Sequence, residues 1–119
     1  MAVTTTDAGR RGEQLALKYL QKQGLRLLER NYRAGHLEID LIMAEGDTIV
    51  FVEVKARSRT DYGTPAEYVT RTKRERLIRA ASAYLLEQRL SDAPCRFDVA
   101  EVALPDGEIT HIRDAFVCD

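Results

Sequence analysis

Leu37-Glu38-Ile39-Asp40-Leu41-Ile42-Met43-Ala44-Glu45-Gly46-Asp47-Thr48-Ile49-Val50-Phe51-Val52-Glu53-Val54-Lys55-Ala56-Arg57 reads as one β-hairpin, and the rest of the chain arranges itself around it. Residues 36–44 and 48–57 are rich in Val, Ile, Leu and Phe, and Glu45-Gly46-Asp47 between them is a turn signal. A two-residue Gly46-Asp47 loop with Gly first suits a type II′ turn. That register sets Asp40 opposite Glu53 and Glu38 opposite Lys55. Side chains alternate along a strand, so these four residues are expected on one side of the sheet. Ile39, Leu41, Met43, Val50, Val52 and Val54 then share the other side, while Ile42, Ile49 and Phe51 stand beside the charges.

Strands that are apolar on both faces are central and covered, so their charges are not solvated by default. Glu-x-Lys alone is common on exposed strands as a simple ion pair. Two carboxylates facing each other on a largely apolar sheet destabilise it unless a cation lies between them. Lys55 is one such cation and a bound metal would be another.

At 119 residues the chain accommodates a single domain, 1–119, with 1–7 read as a flexible N-terminal segment. No apolar run is long enough to cross a membrane, and the opening Met1-Ala2-Val3-Thr4-Thr5-Thr6 lacks the apolar centre of a signal peptide, which points to the cytoplasm and to no membrane partner. Cys95 and Cys118 have no Cys-x-x-Cys spacing and no nearby His, so they are read as ordinary thiols rather than zinc ligands or a disulfide. A net charge of −1 and a pI near 6.1 argue against a general nucleic-acid binder. The distribution is uneven, however. Residues 57–79 carry seven positive side chains (Arg57, Arg59, Arg71, Lys73, Arg74, Arg76, Arg79) against Asp61, Glu67 and Glu75, leaving the remainder acidic. Such a segment is either a phosphate-binding surface or a solvated helix face.

The expected order is helix, three strands, helix, then one or two strands. The first helix is placed at 8–23, with Leu15, Ala16, Tyr19 and Leu20 as its apolar stripe and Gly24 as its stop. Glu13 falls on the core-facing side near its start, where it serves either the helix dipole or a site. Residues 25–32 read as an edge strand, and together with 109–116 they are the expected exposed apolar surfaces. Thr64-Pro65-Ala66-Glu67 and Thr72-Lys73-Arg74-Glu75 both match a capping box, which predicts a short turn and then a long helix. Leu77, Ile78, Ala81, Tyr84 and Leu85 form its stripe, and Lys73 lies on the same side, aimed at the sheet. Residues 96–102 alternate as a strand, and Pro105-Asp106-Gly107 turns the chain into a short strand at 109–112. The lone His111 is read as a surface residue.

Asp40 and Glu53 lie near the open end of the hairpin, where Arg33 and the 57–63 segment bring cations. Carboxylates and arginines gathered in one cleft suit a polyanion bridged by a divalent metal. Gly9-Arg10-Arg11-Gly12-Glu13, Glu38-Ile39-Asp40-Leu41-Ile42, Phe51-Val52-Glu53-Val54-Lys55-Ala56-Arg57, the Gly63/Pro65/Lys73 spacing and Arg96-Phe97-Asp98-Val99 together resemble the YraN-like family. That family is grouped with the restriction-endonuclease-like, PD-(D/E)xK nucleases and is similar to archaeal Holliday-junction resolvases. The resemblance covers Gly9 to Val102. It implies an α/β fold of order α-β-β-β-α-β with a short C-terminal strand, built on a central mixed sheet flanked by helices.

By position, the resemblance makes Asp40 and Glu53 metal ligands, with Lys55 beside the attacking water and Glu13 completing the site from the first helix. The nuclease signature has Pro before its Asp, where this chain has Ile39. Mg²⁺, with Mn²⁺ as a substitute, would take oxygen ligands from Asp40 and Glu53 and from the Val54 carbonyl. Lys55 would orient or deprotonate water, or stabilise charge on the phosphate. Arg33, Arg57, Arg59 and Lys73 are the candidates for holding flanking phosphates. The implied activity is an endonuclease acting on DNA, branched DNA included, as a homodimer or with an accessory protein. The rival reading is a nuclease-shaped binding or adaptor protein that cuts poorly.

Overall fold

A computed structural model describes residues 5–58 and 70–116. The elements are α1 (Thr5–Lys22), β1 (Arg26–Ala34), β2 (Leu37–Glu45), β3 (Thr48–Ser58), α2 (Arg71–Glu87), β4 (Cys95–Leu104) and β5 (Glu108–Phe116). The five strands form one mixed sheet in chain order. Only β3 and β4 are parallel, because a helical crossover joins them; the other neighbours are antiparallel. The expected α/β order is thus present. α1 starts inside the segment expected to be flexible, and β5 is nine residues long rather than four.

Among the described residues each face of the sheet carries one helix. On one side Leu77, Ala80, Ala81 and Tyr84 of α2 pack on Ile39, Ile42, Phe51, Phe97 and Val99. Phe51 stacks on Phe97 and Phe97 on Phe116, with ring centroids 5.4 and 4.7 Å apart, within the range of favourable aromatic pairs. On the other side Ala16, Leu17 and Leu20 of α1 cover Leu41, Met43, Val50, Val52, Ala100 and Val102. α1 approaches closely at Gly12, where an added Cβ would lie 2.8 Å from the Ala56 Cβ. Gly24, at φ +97, follows the helix as its expected stop.

The Gly46 turn holds the expected register: Leu41 faces Val52 and Glu45 faces Thr48, with Gly46 at φ +58. The ladder ends there, however, and Asp40 does not pair with Glu53 across it. Ile39 packs on the α2 side together with Ile42, not with Leu41 and Met43, so the alternation of β2 breaks at Asp40. β1 is disturbed at the same level. Its ladder with β2 skips from Arg30/Leu41 to Tyr32/Ile39, and the intervening Asn31 takes φ +51, a conformation Asn tolerates better than most residues.

Two other expectations change. α2 is capped by Thr70, whose hydroxyl accepts a bond from the Lys73 N–H at 3.2 Å, and not by Thr72. Both β1 and β5 are edge strands, but Leu25 just before β1, Tyr32 in it and Phe116 in β5 turn into the core, so neither edge is an apolar surface among the described residues. The edge position of β1 is exposed instead at Arg26, Glu29, Arg30 and Arg33, charges that discourage strand addition. Among the described residues no helix is long and apolar enough to cross a membrane.

Candidate functional site

Where β2 and β3 part beyond Leu41 and Val52, the Asp40 carboxylate fills the gap. Its Oδ2 accepts a hydrogen bond from the Val54 N–H at 2.8 Å, taking the place of a ladder carbonyl. Glu53 projects on the α2 side, and Lys73 in the first turn of α2 reaches it at 2.5 Å. Thr70 as N-cap sets where that first turn begins and therefore where Lys73 points. Glu38, Asp40, Glu53, Thr72, Lys73 and Arg76 all line one open cleft of about 530 Å³.

The electrostatics of this cleft are unbalanced. Burial, then repulsion from Glu53, pushes the Asp40 carboxyl up to about 7, and the Val54 N–H offsets only part of this. Glu13 and Glu38 add to the repulsion. Glu13 is itself raised, first by burial and then by Glu38 and Glu53, against the opposing effects of an Asn31 hydrogen bond and the Arg30 charge. The close seat of Gly12 on Ala56 delivers Glu13 to this place. Among the described residues no three His, Cys, Asp or Glu side chains converge closely enough to hold a metal by themselves. The protein therefore supplies two adjacent carboxylates, Asp40 and Glu53. Val54 has its N–H turned to Asp40, and in an extended strand its carbonyl leaves on the same edge. Hard oxygen donors of this kind, completed by water, fit Mg²⁺ or Mn²⁺.

The structure thus brings together Glu38, Asp40, Glu53 and Lys73, with Glu13 nearby. Lys55 follows Glu53 by one alternation on β3, half-buried and in register with Glu101 of β4. Arg33 is exposed and pairs with Glu38 at 3.5 Å. Arg57 is corrected as a phosphate contact: its guanidinium is buried and bonded to Glu101 at 2.8 Å, which clamps β3 to β4. Arg59 lies outside the described residues.

A second polar cluster was not anticipated. Asp98 is buried on the α1 side of β4, and its carboxylate accepts bonds from Arg96 Nε at 3.0 Å and from the Asp114 N–H at 2.9 Å. His111 Nε2 lies 2.8 Å from the same carboxylate, with a side chain only 6% exposed. The expected surface histidine is thus a buried partner. Arg96 and Arg113 both reach Glu45, extending the cluster to the hairpin turn. Burial pushes Asp98 up, but His111, Arg96 and the Asp114 N–H outweigh it and hold the carboxyl below its ordinary range. The sequence signal was an aspartate at an inward-facing position, set among the apolar Phe97, Val99, Ala100 and Val102.

The family model described as "Uncharacterised protein family UPF0102" matches residues 12–102, from the Gly12 contact to the last core residue of β4. This chain belongs to the UPF0102 family. A UPF0102 protein of Chlorobium chlorochromatii is 46% identical, over 95% of this chain and 93% of that one. One of Clostridioides difficile is 44% identical, over 92% and 96%. One of Rhodococcus opacus is 45% identical, over 91% and 94%. Membership bears out the YraN-like resemblance at the level of the family. Among solved structures, Pyrococcus furiosus SfsA in complex with Ca²⁺ aligns with a TM-score of 0.39 at 16% identity, over 92% of this chain and 63% of that chain, a weak likeness. The UPF0102 match spans Glu13, Asp40, Glu53, Lys55 and Lys73 together with Asp98, while His111 lies beyond it.

Proposed function

We propose that this UPF0102 protein is a metal-dependent endonuclease that hydrolyses phosphodiester bonds in DNA, branched DNA included, on a restriction-endonuclease-like core. The observation that carries the reading is the pair Asp40 and Glu53, two adjacent carboxylates in an open cleft where burial and their mutual repulsion push the Asp40 carboxyl up to about 7. Asp40, Glu53 and the Val54 carbonyl would hold Mg²⁺, with Mn²⁺ as a substitute. A divalent ion bound there supplies polarisation of a phosphate oxygen and a more acidic water. The protein's own groups do the rest. Lys73 and Arg76 edge the cleft as cations for a flanking phosphate, and Arg33 stands on its outer side. Lys55 orients or deprotonates the attacking water, or stabilises charge developing on the phosphate. Glu13 adds a carboxylate from α1 that tightens the site's demand for a cation.

One observation favours the rival, a binding or adaptor protein with little cleavage. Lys73 already holds Glu53, whose side chain is only 12% exposed, so the acid pair has a built-in cation. The two readings separate in a cleavage panel of single-stranded, duplex, flap and four-way-junction DNA, plus RNA, with Mg²⁺ and Mn²⁺. Cleavage lost in Asp40→Ala, Glu53→Ala and Lys55→Ala supports the enzyme. Binding without cleavage in every arm supports the adaptor. The same reading includes a homodimer presenting two cleft sites to a branched substrate, which sedimentation with and without a four-way junction tests.

A further inference from the structure

A second cavity, about 600 Å³, opens on the outer side of β1 and is walled by Arg10 and Glu13 of α1, by Arg30, Asn31 and Arg33 of β1, and by Glu38 of β2. Glu38 also lines the carboxylate cleft, so the two hollows share a wall. Glu38 and Asp40 are two residues apart, roughly 6.6 Å along a strand, so one hollow begins about where the other ends.

Three guanidiniums from two separate elements converge on this cavity against their mutual repulsion. The neighbouring carboxylates neutralise them poorly. Glu13 is engaged with Asn31, and Glu38 meets Arg33 only at 3.5 Å with the Arg33 side chain 74% exposed. Arg30 donates to Gln14 at a long 3.4 Å on the surface. Exposed pairs of this kind exchange readily for a better anion. A phosphodiester is such an anion, because the planar fork of Arg matches two phosphate oxygens.

We propose that the cavity formed by Arg10, Arg30 and Arg33 is a phosphate-binding subsite that holds the continuation of a nucleic-acid strand whose neighbouring phosphate lies at Asp40 and Glu53. The inference rests on the nuclease reading for the occupant of the cleft, and it adds a direction: the strand leaves across Glu38 and along the outside of β1. It also gives Arg30 and Arg33, two exposed cations of one edge strand, a common ligand.

The test is binding of a fluorescein-labelled single-stranded oligonucleotide and its duplex in EDTA, followed by anisotropy over a range of salt concentrations. Arg30→Gln with Arg33→Gln should weaken binding at least tenfold at low salt and lower the slope of log affinity against log salt by between one and two. Arg10→Gln alone should lower it by about one or less. Arg26→Gln, on the same strand but at its other end, should leave both quantities unchanged. All four side chains are exposed, and circular dichroism checks the fold of each variant. Losses in the cavity variants no larger than in Arg26→Gln overturn the subsite, as does a wild type that binds no oligonucleotide at low salt. Binding through these arginines with no cleavage under Mg²⁺ or Mn²⁺ leaves the subsite standing and overturns the nuclease reading instead.

Discussion

Asp98 and Asp40 are both acids built into the sheet, and their surroundings are opposite. Asp98 receives Arg96, His111 and the Asp114 N–H, so its charge is matched on every side. Asp40 receives one backbone N–H and faces Glu53, Glu38 and Glu13. A buried carboxylate that is fully partnered is a structural joint, here tying β4 to β5 and to the hairpin turn. One left short of positive charge, at the rim of a cleft, is where a ligand cation is worth most.

The largest expected effect breaks the satisfied side of this contrast. Asp98→Ala takes the acceptor from the buried His111 ring and the Asp114 N–H, leaves Arg96 only Glu45, and should cost about 3–5 kcal/mol in urea unfolding. A loss under about 1 kcal/mol would mean that the cluster is solvated and the contrast false. Gly12→Ala comes next, because its new methyl meets Ala56 where α1 crosses β3. Overpacking there should cost about 1–3 kcal/mol, and Ala56→Gly in the same chain should recover part of it.

Asp40→Asn tests the unsatisfied side and should run the other way. The native Asp40 carboxyl keeps its proton up to about 7, whereas the unfolded chain releases it near its ordinary 3.8. Between those values the folded state binds more protons, so the contribution of Asp40 to stability falls as pH rises from about 4 to about 7. Asp40→Asn removes that fall and should be more stable than wild type by at least about 1 kcal/mol at pH 8, with no advantage at pH 4. For Asp98 the sign reverses: its pKa is lowered on folding, so its contribution is complete above about pH 4 and lost as pH drops below that. Parallel pH profiles for the two aspartates would undo the comparison.

The smallest effect sharpens the cation question. Lys73→Ala removes the ammonium from Glu53 and should cost less than about 1 kcal/mol in EDTA. Mn²⁺ should then raise the melting temperature of Lys73→Ala more than that of wild type, and should do nothing for Glu53→Gln. Equal shifts in all three proteins would place the ion elsewhere.

Much of this was legible in local patterns. The turn at Gly46, the register from Leu41 to Glu45, the two amphipathic helices and the element order follow from periodicity and turn chemistry, which act over a few residues. Asp40 and Glu53 as neighbours, and Lys73 as a residue facing the sheet, were legible for the same reason. The exceptions at the two polar clusters depend on strands distant in sequence. Arg57 reads as a phosphate contact in sequence because its partner, Glu101, arrives only when β4 pairs with β3. His111 reads as a surface residue in sequence because its partner, Asp98, is reached only when β5 pairs with β4.

By itself the sequence determined which segments become helix or strand, where the hairpin turns, and which acidic and basic residues share its open end, since backbone propensity and side-chain alternation are local. Tertiary structure alone decided which of those charges remain in need of a partner. Desolvation and pairing depend on what packs alongside: β4 and β5 brought Asp98 its donors, while the break at Asn31 and Asp40 turned one carboxylate into the gap beside another.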